Sequence, residues 1–150
     1  MRAVVQRVKS AGVKIHENTK ASIGPGLLIF LGIEHDDTLG DVLWLIGKIA
    51  RLRIFDDNNG VMNLDVVQSG GEIMVISQFT LHAKTKKGNR PSYIRAAPPE
   101  LAIPLYNRFV DDISRETEKE VKTGDFGAAM DVALVNHGPV TIIIDTKNKE

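Results

Sequence analysis

Residues 70–93 read GGEIMVISQFTLHAKTKKGNRPSY, and the rest of the chain is organised around this stretch. Behind a Gly-Gly turn signal, Glu72–Ile76 carries four successive apolar residues, which predict a strand buried on both faces. Ser77, Gln78 and Thr80 then interrupt the apolar run. A buried strand has little reason to end in two hydroxyls and an amide unless these groups, or the backbone they bend, meet polar partners. We therefore expect a polar pocket where this strand ends.

A basic loop follows the polar cluster. Residues 84–95 contain five cations and no carboxylate, the cations being Lys84, Lys86, Lys87, Arg90 and Arg95. Such a run is usually a solvated surface. Here Gly88 and Pro91 give the loop a defined course, and Tyr93 adds a ring on which a base can stack. The loop therefore suits the phosphates and bases of an RNA end.

The composition requires any anion site to be local. The chain has 150 residues, which fits one domain over residues 1–150, and its 19 basic and 19 acidic residues cancel. A protein-wide attraction to nucleic acid or to an anionic membrane is therefore not expected. The chain shows neither a signal-peptide pattern nor an apolar run of membrane-spanning length, so we expect a soluble, cytoplasmic protein.

The sequence offers no familiar metal or cofactor site. The chain lacks cysteine, which excludes disulfides and thiolate ligands. Its four histidines show no ligand spacing, and we expect each to be an ordinary surface or loop residue: His16, His35, His82 and His137. Asp56 and Asp57 lack the later ligands of a calcium loop and are interpreted as part of a tight turn. We therefore expect neither a metal nor a cofactor.

Hydrophobic periodicity predicts strands at both ends of the chain. Met1–Val8 and Val13–Glu17 predict an opening hairpin, and Leu27–Ile33 is too apolar to face water on either side. Apolar residues then recur at helical spacing from Leu39 to Ala50, after an N-cap signal at residues 36–38. Leu52–Phe55 predicts a short strand before the turn at residues 56–60.

The second half of the chain predicts one helix and two strands. The helix begins at Pro98-Pro99 and runs to about Val121, with Pro104 as a site of shortening or kinking and Thr123-Gly124 as its stop. Met130–Val135 and Val140–Asp145 predict strands joined by residues 136–139. Two helices are too few for a repeated βαβ pattern. The predicted fold is therefore α+β, a largely antiparallel barrel-like sheet covered by two main helices.

No familiar nucleophile arrangement is present in the polar cluster. Thr80 is the obvious candidate, but no adjacent base is evident, so we interpret it as a pocket-lining donor rather than as the attacking group. The backbone N–H groups of the Gln78–Thr80 bend, if unpaired in the sheet, can form an oxyanion site. Arg7 lies inside the first predicted strand. A surface position is the simplest interpretation, but its guanidinium can also hold a backbone carbonyl of a neighbouring segment.

Eight motifs occur in the order found in one known family. They are MRAVVQRV at residues 1–8, IGPGLLIFLGI at 23–33, KIARLRIF at 48–55, MNLD at 62–65, SQFTL at 77–81, KGNRPSY at 87–93, TGDFGA at 123–128 and NHGPVT at 136–141. Over essentially the whole chain the sequence resembles the D-aminoacyl-tRNA deacylase family, also called D-tyrosyl-tRNA deacylases. Any one motif can arise by chance, whereas the ordered set is specific.

The resemblance implies a homodimer that hydrolyses the ester between a D-amino acid, or glycine, and the 3′-terminal adenosine of tRNA, with active sites at the subunit interface. It assigns the pocket and the oxyanion donors to Ser77, Gln78, Phe79 and Thr80. The partner subunit would insert its Gly138-Pro139, with a cis bond, so that two carbonyls exclude an L side chain and capture the amino group of a D residue.

Further site residues follow from the same resemblance. Arg7 matches the residue that braces the Gly-Pro motif, and Phe126 and Met130 fall near the pocket wall. The basic residues implied in tRNA binding are Lys84, Lys86, Lys87 and Arg90. For the attack, the family offers either the Thr80 hydroxyl or a water assisted by the 2′-OH of the tRNA. We prefer the water because no base for Thr80 is visible.

The sequence departs from the family pattern at Lys84, Ala129 and His137, each of which stands where an acidic residue is common. Losing these acids near an RNA site should strengthen the attraction of phosphates. Two alternative functions stay open. One is a non-catalytic protein that binds RNA ends or nucleotides. The other is a hydrolase of free D-amino-acid esters, which the neutral net charge favours and the basic loop disfavours.

Overall fold

The computed structural model describes all residues, Met1–Glu150. Eight strands, two α-helices and one 3-10 helix follow one another along the chain. The strands are β1 (Arg2–Ile15), β2 (Asn18–Ile23), β3 (Gly26–Gly32), β4 (Phe55–Asp56), β5 (Met62–Leu64), β6 (Glu72–Ser77), β7 (Val121–Thr123) and β8 (Asp131–Asp145). The helices are α1 (Leu39–Ala50), the 3-10 helix (Phe79–His82) and α2 (Pro99–Thr117).

One six-stranded sheet curls into a nearly closed barrel, and the two helices pack together on its outside. β1 is antiparallel to β2, β3 and β8. The prediction of an α+β barrel-like sheet with two helices is confirmed, but the sheet is mixed, because β6 runs parallel to both β3 and β7. Parallel pairing follows from the crossovers: α1 and the β4–β5 pair lie between β3 and β6, and α2 lies between β6 and β7.

The opening hairpin prediction is wrong, because residues 2–15 form one long strand. The exposed polar pair Lys9 and Ser10 breaks the apolar run in the sequence, yet the strand continues past it against β8. The chain reverses only at His16 and Glu17, which both have positive φ. The two C-terminal strands are likewise one strand: residues 137–140 bulge out of β8 opposite Arg7, between the pairs Gln6–Thr141 and Val8–Asn136.

Two other predicted boundaries also differ. α2 ends at Thr117 instead of about Val121, because Glu118 adopts a left-handed conformation (φ 54°) and Lys119 turns back to donate to the Ser114 carbonyl. Residues 121–123 lie beyond the end of the helix and form β7, which pairs with β6. Pro104 lies inside α2 without ending it. Of the strand predicted at Leu52–Phe55, only Phe55 belongs to a strand, β4.

Apolar side chains fill both faces of the sheet. Alternate residues of β3 and β6 point to opposite sides: Leu27, Ile29 and Leu31 join a cluster with α1 and α2, whereas Leu28 packs inside the barrel with Met74. This arrangement explains why β3 and β6 lack a polar face. Each such fully buried side chain contributes about 1.5–3 kcal/mol, and together they fix the ends of β3 and β6, where the site lies. Neither helix is long and apolar enough to cross a bilayer.

Candidate functional site

A pocket of about 480 Å³ opens where β3 and β6 end. Twelve of its 16 lining residues are hydrophobic. All 16 lining residues are Leu31, Ile33, Ile76, Ser77, Gln78, Phe79, Tyr93, Ala96, Ala97, Pro99, Ala102, Phe126, Gly127, Ala128, Met130 and Val132. Ser77 and Gln78 place a few polar groups in an otherwise apolar cavity, the usual composition of a small-ligand site.

The polar segment bends away from β6 immediately after the buried run. The Gln78 N–H donates to the Leu31 carbonyl (2.8 Å), so this N–H is paired with the sheet and is not free to stabilise an oxyanion. The Gln78 side-chain amide donates to Thr80 Oγ1 at 2.5 Å. Phe79 and Thr80 begin the 3-10 helix, where the first N–H groups have no partner within the helix. Thr80 itself does not line the pocket.

The 3-10 helix is held from two sides. Arg2 Nη1 donates to the Leu81 carbonyl at 2.7 Å, and the same guanidinium pairs with Asp145. Gly32, the last residue of β3, lies directly beneath the helix: a Cβ built on it would lie 3.0 Å from the Gln78 carbonyl oxygen and 3.1 Å from Cδ2 of His82. A larger residue at position 32 would therefore force the 3-10 helix to shift by a few tenths of an ångström.

The opposite wall of the pocket is the segment between β7 and β8. Phe126 packs edge-on against Tyr106, with ring centroids 5.7 Å apart. Met130 packs against Gly124, and a Cβ built on Gly124 would lie only 2.3 Å from the Met130 sulfur. Tyr106 in turn donates to the Val75 carbonyl (2.8 Å), and burial raises its pKa. The structure thus brings Phe126 and Met130 to the same pocket as Ser77 and Gln78.

The basic loop, residues 84–95, projects beside this pocket. Its base is closed by two backbone hydrogen bonds between Lys84 and Ser92, of 2.8 and 3.0 Å. Tyr93 lines the pocket and contacts Phe79 edge-on, with centroids 5.0 Å apart. The side chains of Lys84, Lys86, Lys87 and Arg90 are exposed and form no ion pair, whereas Arg95 is paired with Glu34. The loop that supplies Tyr93 to the pocket thus also carries four exposed cations without ion-pair partners.

The Gly138-Pro139 peptide bond is cis, and both residues are exposed. Neither lines the chain's own pocket. Arg7 is 5% exposed: its Nε donates to the His137 carbonyl (3.2 Å), and its Nη1 donates to the Ile54 carbonyl (2.7 Å) and to Asp56 (3.0 Å). Arg7 is therefore a buried brace that ties the bulge of β8 to the segment before β4, and not a surface residue.

Several residues at the site were not found from the sequence. Gly32 and Arg2, which fix the 3-10 helix, lie inside two of the quoted motifs, but nothing in the sequence indicates their contact with the 3-10 helix. Glu34 follows β3 without any pattern that marks it. The expectation that every histidine is a surface or loop residue is wrong for His82, which ends the 3-10 helix and is 3% exposed. The structure contains no cluster of three or more metal-type side chains.

A family model described as D-Tyr-tRNA(Tyr) deacylase matches residues 4–145. The chain belongs to this family. Curated proteins named D-aminoacyl-tRNA deacylase match over 100% of both chains: the protein of Bacteroides thetaiotaomicron is 62% identical and that of Flavobacterium psychrophilum 59%. The resemblance inferred from the eight motifs is thereby confirmed.

Solved structures share the deacylase fold. One, the c-Myc DNA Unwinding Element Binding Protein, superposes with a TM-score of 0.91 at 38% identity, covering 97% of this chain and 98% of that one. A probable eukaryotic D-amino acid tRNA deacylase superposes with a TM-score of 0.82 at 15% identity, covering 95% and 97%. The second likeness concerns the fold alone.

Proposed function

We propose that this protein hydrolyses the ester that links a D-amino acid to the 3′ end of tRNA, and so removes the wrong enantiomer before protein synthesis. The observation that carries the proposal is the apolar pocket whose wall includes Ser77 and Gln78, together with Tyr93 from the basic loop, whose cations are exposed. Membership of the deacylase family supports the reaction. Because ribosomes use charged tRNA in the cytoplasm, the proposed place of action is the cytoplasm.

In this proposal the ester carbonyl lies against the start of the 3-10 helix. The N–H groups of Phe79 and Thr80 stabilise the oxyanion, and Gln78 orients the Thr80 side chain. A threonine nucleophile needs a neighbouring base, whereas the partner of Thr80 Oγ1 is an amide, which cannot accept a proton. The attacking group is therefore water, assisted by the ribose 2′-OH, and the protein contributes positioning and charge stabilisation.

We further propose that the site is completed by a second copy of the chain. β8 is a 15-residue edge strand with exposed Val135 (52%) and Ile143 (68%), features typical of a surface that pairs with another subunit. Gly138-Pro139 is exposed and lies outside the chain's own pocket, so the motif is available to the pocket of the partner. Arg7 holds it rigidly.

The site then distinguishes the two enantiomers by sterically excluding the L side chain. Backbone carbonyls of the Gly-Pro motif face the α-carbon of the substrate, where they obstruct an L side chain and accept hydrogen bonds from the amino group of a D residue. Glycine has no side chain to obstruct. Glycyl-tRNA, including glycine mischarged on the tRNA for alanine, is therefore a second proposed substrate.

Single-turnover hydrolysis of D-tyrosyl-, L-tyrosyl- and glycyl-tRNA tests the reaction. We expect the D and glycyl esters to be lost rapidly and the L ester to decay at the rate in buffer. Thr80→Ala should keep most of the activity if water attacks, whereas its complete loss would favour the hydroxyl. Decay of all three esters at the buffer rate would refute the proposal.

Mixing two impaired variants tests the shared site. One is Gly32→Ala, which crowds the 3-10 helix beside the pocket, and the other is Pro139→Ala. In a heterodimer of the two, one site carries both substitutions and the other carries neither. Random reassociation should therefore restore about a quarter of the wild-type sites. A site built within a single chain would gain no activity on mixing. Mixing each variant with a second preparation of itself is the matched control.

Nucleic-acid binding without hydrolysis is the second candidate, and one observation favours it: a structural relative is named for binding a DNA element. Binding of tRNA with all esters left intact would support this candidate. Hydrolysis of free D-amino-acid esters as fast as D-aminoacyl-tRNA would instead indicate a small-molecule hydrolase.

A further inference from the structure

Glu34 lies buried at the base of the basic loop and faces both of its ends. Its side chain is 5% exposed and pairs with Arg95, the last residue of the loop. The same carboxylate oxygen lies 4.0 Å from Nδ1 of His82, which precedes the loop by two residues. Its second oxygen is 3.8 Å from the Met1 amine. One buried carboxylate is thus paired with the last residue of the loop and lies beside the segment that leads into it.

The backbone around Glu34 closes the same base. Glu34 forms an isolated β-bridge with Ala96, and the His35 N–H donates to the Arg95 carbonyl at 3.3 Å. The Lys84–Ser92 pair lies one step further out along the loop. Beyond it, residues 85–91 are exposed. The direction of the projecting loop is therefore set at its base and not along its length.

The charge of Glu34 also bears on the orientation of the buried His82 ring. Its Nε2 is the only buried side-chain polar atom without a hydrogen-bond partner. The Glu34 carboxylate is the charged group facing its other nitrogen. A buried polar ring that lacks hydrogen bonds is costly, and a nearby charge of fixed position favours one orientation of it.

We infer that Glu34 is a positioning residue for RNA binding, which holds both ends of the basic loop so that Lys84, Lys86, Lys87 and Arg90 face the tRNA beside the pocket. This inference rests on the proposed tRNA substrate. The Ser77–Thr80 segment is held by other contacts, those of Leu31 and Arg2. Glu34 faces only the far end of the 3-10 helix, at His82 and beyond hydrogen-bond distance, so ester hydrolysis itself does not need Glu34.

The test separates RNA binding from chemistry. Affinity for deacylated tRNA is measured over a salt series, and hydrolysis is measured on D-aminoacyl-adenosine, which lacks the rest of the RNA. Glu34→Gln and Arg95→Gln should each weaken tRNA binding about three- to tenfold and flatten its salt dependence, while hydrolysis of the short ester changes by less than about twofold. Arg95→Lys should restore binding. The double variant should be no weaker than either single one.

Glu116→Gln is the matched control, because it removes a carboxylate from an exposed ion pair with Arg51 and should leave both measurements unchanged. Equal loss on the short ester, or unchanged tRNA affinity in both single variants, would overturn the inference. If Glu34→Gln does not fold, Glu34→Asp is the second variant: it keeps the charge but shortens the side chain, so weaker tRNA binding with the short ester unaffected supports the inference, and unchanged binding overturns it. Failure of the proposed function looks different: the wild type would leave both esters intact, while tRNA affinity would still respond to Glu34→Gln.

Discussion

Adding a single methyl group at Gly32 should displace the 3-10 helix without unfolding the protein. The Cβ of Gly32→Ala would lie 3.0 Å from both the Gln78 carbonyl oxygen and Leu81 Cβ, closer than ordinary van der Waals contact at 3.4–4 Å. Two of the three obstructing atoms belong to the backbone or lie next to it, so the helix must move by a few tenths of an ångström. Gly32 itself has no positive φ, so the effect is steric and not conformational.

The expected cost in stability is small. Overpacking costs about 1–3 kcal/mol, and the reduced entropy of the unfolded chain offsets about 0.4–1 kcal/mol of this, which leaves a net loss of about 0–2.6 kcal/mol. The expected cost in activity is larger. The displaced helix carries the proposed oxyanion donors, and misplacing such groups by a fraction of an ångström should lower the single-turnover rate about tenfold or more.

Gly12→Ala is the matched control for this substitution. Its added Cβ would meet the Ala21 carbonyl at 3.8 Å, an ordinary contact, so both stability and rate should stay close to wild type. Urea unfolding and single-turnover hydrolysis of D-tyrosyl-tRNA are measured on both variants. If Gly32→Ala deacylates as fast as Gly12→Ala, the position of the 3-10 helix does not control the reaction, and the proposed role of its N–H groups is wrong.

Three further outcomes follow from individual contacts. Asp41 has a lowered pKa, because hydrogen bonds from Thr146, Lys147 and Thr38 outweigh the effect of its burial. Its contribution to the free energy of unfolding is therefore present at neutral pH and is lost as the pH falls below about 4. In urea unfolding, Asp41→Asn should lose less stability than the wild type as the pH is lowered. Burial raises the pKa of Tyr106, so the folded state should lose stability as the pH rises above about 10, and Tyr106→Phe should not show that loss. At pH 7 the same substitution should lower the free energy of unfolding by about 1 kcal/mol, because it removes the hydrogen bond to the Val75 carbonyl. Lys84→Asp should reduce the salt dependence of tRNA binding, and an unchanged slope would exclude Lys84 from phosphate contact.

Features that depend on local pattern could be predicted from the sequence. The sequence predicts β3 and β6 because both faces of each strand are apolar, and α1 because its apolar residues recur at helical spacing after the N-cap signal at residues 36–38, where Thr38 is the N-cap. The polar end of β6 was found for the same reason, since hydroxyls and an amide directly after a buried run are unusual. Local sequence pattern alone was therefore enough to assign Ser77 and Gln78 to the pocket.

Features that depend on pairing could not be predicted. Lys9 and Ser10 look like the end of a strand, and only the register against β8 shows that β1 continues past them. The end of α2 lies at Glu118, a left-handed residue that is not glycine and so gives no stop signal. Glu34 became identifiable only when its neighbours, Arg95 and His82, were located in space.

The distribution of charge limits what the proposed enzyme can recognise. The net charge is zero, and the exposed, unpaired cations beside the pocket lie on one short loop, so electrostatic attraction acts over only a few phosphates. The pocket is mainly apolar, and Ser77 and Gln78 are the polar side chains where β6 ends. Affinity should therefore depend on the end of the tRNA and selectivity on the configuration at the α-carbon. A deacylase built in this way would act on D-aminoacyl esters of many tRNAs, which is what proofreading of chirality requires.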